Sequence, residues 1–335
     1  MTILVFPSSL EASREYAIKA KRQNLNVVGA SSIAHDPYAH DYSVWEPLPF
    51  IHDDTFESQL TSIITKHNIK AIYTPHAPSF LRLKQLSLPI DLVGESPCDQ
   101  QMTRVRSAFE GAQQNSFKAG LLEQAHHLYG ECSAEKIQAF FRVFDDCPAG
   151  DVVEVGVFFG KSALMLNRLA QYYRIGATLA IDPWDCALSV QYDSPQLIQD
   201  LSHQWDWDLV FKGFLMQAQG CHAGRFNYLR TSSIDAWENY RRSRIITTPE
   251  FGDTLYSGKI AVLHLDGNHD EQYIQQDFDL WSSALLPGGW IIIDDYDWSQ
   301  GNGPKTVGDR VLSQWQERIQ SHFVAGSALF IQTRD

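Results

Sequence analysis

The chain has 335 residues, 44% of them apolar, which is enough to bury full cores and suggests two domains. A formal net charge of −13 and a pI near 5.3 exclude the basic footprint that a nucleic-acid backbone requires. Cys98, Cys132, Cys147, Cys186 and Cys221 show no C-x-x-C spacing, which argues against a disulfide framework or a zinc site and fits a reducing cytosol. No apolar run approaches the roughly 18 residues of a membrane span, and MTILVFPSSL lacks the layout of a signal peptide. A cytoplasmic α/β protein with no nucleic-acid or membrane partner is expected.

TILVF predicts a short strand, LEASREYAIKAKRQ a helix and NVVGA a second strand. A strand near DYSVWEPLP follows. Phe56, Leu60, Ile63 and Ile64 then form one helical stripe, and AIYT is the next strand. This first block runs to LVGES, residues 92–96, and a helical stretch leads onward from about residue 100. Its last helix takes Ser133 as N-cap and buries Ile137, Phe140, Phe141 and Phe144.

The second block opens with DVVEVGVFFGKSALMLNRLAQYY, a strand, a glycine turn and a helix. Gly156 and Gly160 frame a turn where a missing Cβ lets a ligand approach the backbone, and free N–H groups follow at the helix start. A plain structural turn is the competing reading, because the spacing is not G-x-G-x-x-G. The next strand, TLAID, ends in Asp182, placed to accept both hydroxyls of a ribose or else to cap a turn.

IAVLHLD and GWIIIDD are apolar runs ending in acid, joined by a helix with Ile274, Phe278, Trp281 and Leu285 inward and closed by LPGG. Such a crossover makes parallel neighbours, whose carboxyl ends emerge on one edge of the sheet about 4.8 Å apart. Asp266 would then meet Asp294 and Asp295, and three crowded carboxylates repel unless protonated or bridged by a cation. Mg²⁺ or another hard divalent cation suits oxygen ligands. His269, at the entrance to the crossover helix, is placed as a general base for a hydroxyl. His264 reads as a buried, hydrogen-bonded histidine.

EVGVFFGKS, AIDPW, HLDGNHD and IIIDDYDW, with a closing pair of strands in HFVAG and SALFIQT, together resemble a class I S-adenosylmethionine-dependent methyltransferase over about residues 133–333. That likeness implies a Rossmann-like sheet with a terminal antiparallel hairpin. It also implies a cofactor site lined by Glu154, Gly156, Gly160, Ser162 and Asp182, with Trp184, Ser232 and Ser233 shaping the adenine pocket. D-G-x-H with a D-D pair is similar to the metal-dependent sugar O-methyltransferases of the macrocin type. The resemblance makes Asp266, Asp294 and Asp295 metal ligands and His269 the base, although relatives can carry glutamate where Asp294 stands. The implied reaction is O-methylation of a small hydroxylated natural-product or sugar-like molecule. Two alternatives are an oxidative enzyme of the cephalosporin-hydroxylase-like branch and a noncatalytic nucleoside-binding scaffold.

Residues 1–106 resemble, in pattern alone, the Rossmann-like domain that precedes ATP-grasp domains. This auxiliary domain is expected to help hold substrate or to form a homo-oligomer interface. A helical connector, 107–132, then joins it to a methyltransferase domain, 133–335. Two long insertions, one between Asp182 and Ser232 and one from ENYRRSR to TLYSG, are expected as lids or binding walls.

Overall fold

The computed structural model describes residues 1–94 and 96–334, and the chain divides into two compact units, Met1–Ser107 and Ala108–Asp335. Glu95, inside the expected LVGES terminus, and Asp335 lie outside the described residues.

The first unit comprises β1 (Thr2–Val5), α1 (Glu11–Arg22), β2 (Asn26–Ser31), β3 (Val44–Pro47), α2 (Phe56–His67), β4 (Ala71–Tyr73), α3 (Ala77–Gln85), β5 (Asp91–Val93) and most of α4 (Pro97–Gly111). The strands are parallel, in the order β3-β2-β1-β4-β5, a doubly wound sheet. Leu4, Val28 and Ile72 meet Phe56 and Leu60 of α2 on one face, and Val5 and Val27 meet Ala17 and Ala20 of α1 on the other. α3 does not stand out in the sequence, yet a parallel β4–β5 pair needs a crossover and APSFLRLKQ supplies it.

The second unit continues with α5 (Ser116–His127), α6 (Ala134–Asp146), β6 (Asp151–Val155), α7 (Lys161–Tyr173), β7 (Thr178–Ile181), α8 (Cys186–Ser189), α9 (Gln196–Gln204) and α10 (Trp207–Ala218). Then come β8 (Phe226–Leu229), α11 (Ser233–Arg242), β9 (Ile245–Thr248), β10 (Gly252–Leu255), β11 (Ile260–Leu265), α12 (Glu271–Trp281), β12 (Leu285–Ile293), α13 (Gly303–Gln314), β13 (Ile319–Ala325) and β14 (Ala328–Thr333). Seven strands make one sheet, β13-β14-β12-β11-β6-β7-β8, in which β14 alone runs antiparallel to its neighbours. This is a Rossmann-like sheet closed by an antiparallel hairpin. The stretch 107–132, expected as a connector, packs into this unit, with Ala119, Leu121 and Ala125 of α5 in its core.

Two expectations are revised. Leu285 opens β12 instead of facing inward from the preceding helix. LPGG bulges out within that strand, because Ile260 pairs with Leu285 while Val262 pairs with Trp290. The second insertion forms the β9–β10 hairpin at the amino edge of the sheet: Tyr240 and Tyr256 hydroxyls donate to Asp151 and to the Thr178 carbonyl, where β6 and β7 begin. It is no lid. Among the described residues, no helix is long and apolar enough to cross a membrane.

Candidate active site

The carboxyl edge of the second sheet is shaped first by a glycine. Gly156 follows β6 at φ +86°, and a Cβ there would lie 2.1 Å from the Asp266 carbonyl oxygen, so only glycine lets the ends of β6 and β11 pass. Gly160, at φ +87°, gives way to the Phe214 ring and not to the cavity. Phe158, Trp184 and Asp295, at φ 52°, 44° and 50°, hold left-handed backbone just past three strand ends; such strain gathers at functional sites.

Asp182 binds this turn together. Its Oδ2 accepts from the N–H groups of Val157 and Phe158 at 2.8 and 2.9 Å, and its Oδ1 from Trp184 at 2.7 Å. Burial raises its pKa against the lowering effect of those three donors. Each carboxylate oxygen has a further lone pair, and the side chain lines the cavity.

That cavity holds about 730 Å³, a normal size for a small-molecule site. Gly156, Asp182, Ser162, Ser232 and Ser233 face it from the cofactor side of the expected site. The two serines already have partners: Ser232 Oγ caps α11 through the Asp235 N–H, and Ser233 Oγ accepts from Trp281 Nε1. Besides Gly160, two expected lining residues are absent from its wall. Trp184 is 1% exposed and packs on Phe211 and Phe214 while its Nε1 donates to the Phe158 carbonyl, so it builds the floor of the core instead of an adenine pocket. Glu154 is sealed beneath: its Oε1 accepts from Ser162 Oγ at 2.5 Å and meets His264 Nδ1 at 2.8 Å.

The crossover places the acids as expected. Leu265 pairs with Ile293, so Asp266 and Asp294 leave adjacent parallel strands side by side. Ligand atoms of Asp266, His269 and Asp295 all lie within 4.8 Å of one another at the cavity wall. His269 Nε2 is 3.2 Å from Asp295 Oδ2, its ring meets Trp298 edge-on at 5.1 Å, and its buried Nδ1 has no partner. Asp294 touches Asp266 but lies behind the cavity wall. It is 4% exposed, its Oδ2 pairs with the Lys136 ammonium, and His264 Nε2 lies 3.5 Å from the same oxygen. The expected trio of carboxylates is therefore two carboxylates and an imidazole facing the cavity.

Electrostatics follow this division. Burial, then repulsion by Asp294, pushes Asp266 well above the usual carboxylate range; burial also raises Asp295, although His269 opposes it. Burial lowers His269, which keeps the imidazole neutral near physiological pH. Lys136 holds Asp294 well below the usual range despite its burial. The donor set fits a hard divalent cation: two desolvated carboxylates that destabilise one another, beside a nitrogen with a free lone pair.

Several contributors escape motif reading. Asn268 Nδ2 donates to the Leu188 and Val190 carbonyls, and Asp270 accepts from the Tyr192 and Asp193 N–H groups, which fastens the start of the first insertion to the loop bearing His269. That insertion walls the cavity with Leu188, Ile198, Leu201, Trp205 and Trp207. Asp277 also lines it, with burial pushing its carboxyl up to about 7. Only the D-x₂-H-x₇-D spacing from Asp266 through His269 to Asp277, running into an amphipathic helix, would have hinted at it.

Residues 153–296 match the family described as "Methyltransferase domain". Over these residues the second unit carries a methyltransferase domain. Among solved structures, the O-methyltransferase NovP is 14% identical, covering 62% of this chain and 84% of its own, with a TM-score of 0.44. CalS11, a calicheamicin methyltransferase, is 11% identical over 72% of this chain and 95% of its own, at 0.43. The MycE methyltransferase of the mycinamycin biosynthetic pathway, solved with Mg, SAH and mycinamycin VI, is 15% identical over 70% and 63%, at 0.38. These overlays are too loose to carry an argument, and the fold rests on the sheet order above. No curated protein matches the chain.

Proposed function

We propose that the protein is a divalent-metal-dependent O-methyltransferase acting on a hydroxyl of a small natural-product or sugar-like molecule. The observation that supports it is the meeting of Asp266, His269 and Asp295 on the wall of the same cavity that the glycine turn and Asp182 line. The Asp266 and Asp295 carboxylates would hold a hard cation such as Mg²⁺, which when bound eases loss of a proton from an alcohol. With its proton on Nε2, His269 donates to Asp295 and keeps a lone pair on Nδ1 to receive the acceptor's proton. The glycine turn and Asp182 would hold the methyl donor and the aromatic wall from the first insertion would exclude water, so that the acceptor oxygen could take the methyl as its bond to sulfur breaks and the neutral thioether leaves. Glu154, His264 and Asp266 also lie close enough to share an ion, but Glu154 and His264 are wholly buried and away from the cavity, which disfavours an oxidative metal there.

The test separates donor from metal. S-adenosylmethionine binds by calorimetry with unchanged affinity after EDTA treatment, whereas S-adenosylhomocysteine release with glycosylated and phenolic acceptors requires added Mg²⁺. Undiminished turnover after complete metal removal would refute the metal role.

A further inference from the structure

Lys136 enters this edge from α6, a helix that none of the motifs touches. It stands in the first turn, where its N–H donates to the Ser133 Oγ cap, and its side chain is 3% exposed. The ammonium pairs with Asp294 Oδ2 and lies 3.7 Å from Asp266 Oδ2. Asp294 is engaged from the other directions as well, by His264 Nε2 and, through Oδ1, by the Asp295 N–H at 2.9 Å. A lysine buried to this degree is costly without a partner, so the pair is a fixed part of the fold. Ligand atoms grouped at the cavity wall come from Asp266, His269 and Asp295, with Asp294 outside them.

We propose that Lys136 is a positioning residue for the cation site: its ammonium keeps Asp294 out of the ligand set and weakens divalent binding by the positive charge it sets beside Asp266. The proposal rests on the divalent-cation reading of the same cavity. A divalent ion approaching Asp266 and Asp295 meets two carboxylates and a fixed cation close behind one of them. Like charges at such separations, away from bulk water, repel strongly enough to change affinity by an order of magnitude or more. The ion is thereby held loosely and exchangeably, where three carboxylates would hold it tightly.

The test titrates Mn²⁺ alone into the full chain, reading free Mn²⁺ by electron paramagnetic resonance, with no turnover required. Lys136→Met should bind Mn²⁺ about tenfold tighter than wild type, because it removes the opposing charge and frees Asp294. The double variant Lys136→Met/Asp294→Asn leaves neither charge unpaired and so keeps the test available if the single variant folds poorly. Its Mn²⁺ affinity should stay within about threefold of wild type. A Lys136→Met affinity that is equal or weaker, or a tenfold loss in the double variant, overturns the proposal; the latter would make Asp294 a ligand. Absence of Mn²⁺ binding in every variant removes the divalent reading itself, and this inference with it.

Discussion

At the carboxyl edge of the first sheet, Ser8 Oγ donates to Asp36 and accepts from Trp45 Nε1, while the Ser8 carbonyl accepts from the Tyr42 hydroxyl. At the same edge of the second sheet, Glu154 Oε2, His264 Nε2 and His269 Nδ1 are buried without a hydrogen-bond partner, although His264 Nε2 lies 3.5 Å from Asp294. Carboxylate shifts diverge likewise. In the first unit Glu46 and Asp53 are lowered, by Lys66 and by Thr55 respectively. Around the second edge, burial raises Asp182, Asp266, Asp277 and Asp295, whereas Asp294, held by Lys136, is lowered. The carboxyl edges of two sheets built on one doubly wound plan thus differ in whether their buried polar groups are hydrogen-bonded. Chemistry resides where they are not.

The contrast breaks most sharply at His269. His269→Ala should preserve S-adenosylmethionine affinity while turnover falls about 10²–10⁴-fold, the usual worth of general base catalysis; an unchanged rate would show that its unpaired nitrogen is idle. Asp277 tests the raised carboxylates. Its folded pKa, about 7, lies above the unfolded value, so its stability contribution is full below about pH 4 and is lost as pH rises through about 7. Asp277→Asn should therefore gain on wild type across that window, by an amount of the order of 4 kcal/mol at its upper end. Parallel denaturation curves for the two proteins from pH 4 to 8 would end that account. The smallest effect belongs to the first sheet. Ser8→Ala leaves Asp36 and Trp45 short of a partner, and should cost about 1–3 kcal/mol in urea unfolding with methyl-donor affinity intact. A loss of donor affinity would mean that the satisfied edge is not merely structural.

Asp266, His269 and Asp295 were legible because a βαβ crossover obliges consecutive strand ends to share an edge, whatever the side chains do next. Side-chain direction was not legible. Trp184 follows a strand end as a pocket residue would, but its left-handed backbone sends the indole into the core. Glu154 sits in a strand with every residue buried, so proximity to the turn did not translate into access. Lys136 lies 158 positions from Asp294, and no local pattern announces a pairing that only the packing of α6 creates. The amino-edge position of the β9–β10 hairpin escaped for the same reason: length and polarity mark an insertion without saying which edge it covers.

The stitches made by Asn268 and Asp270 flank His269 on both sides and grip residues 188–193. The loop bearing His269 and the start of the first insertion are therefore tied into one piece, so that any displacement of residues 188–193 would carry the imidazole along with it.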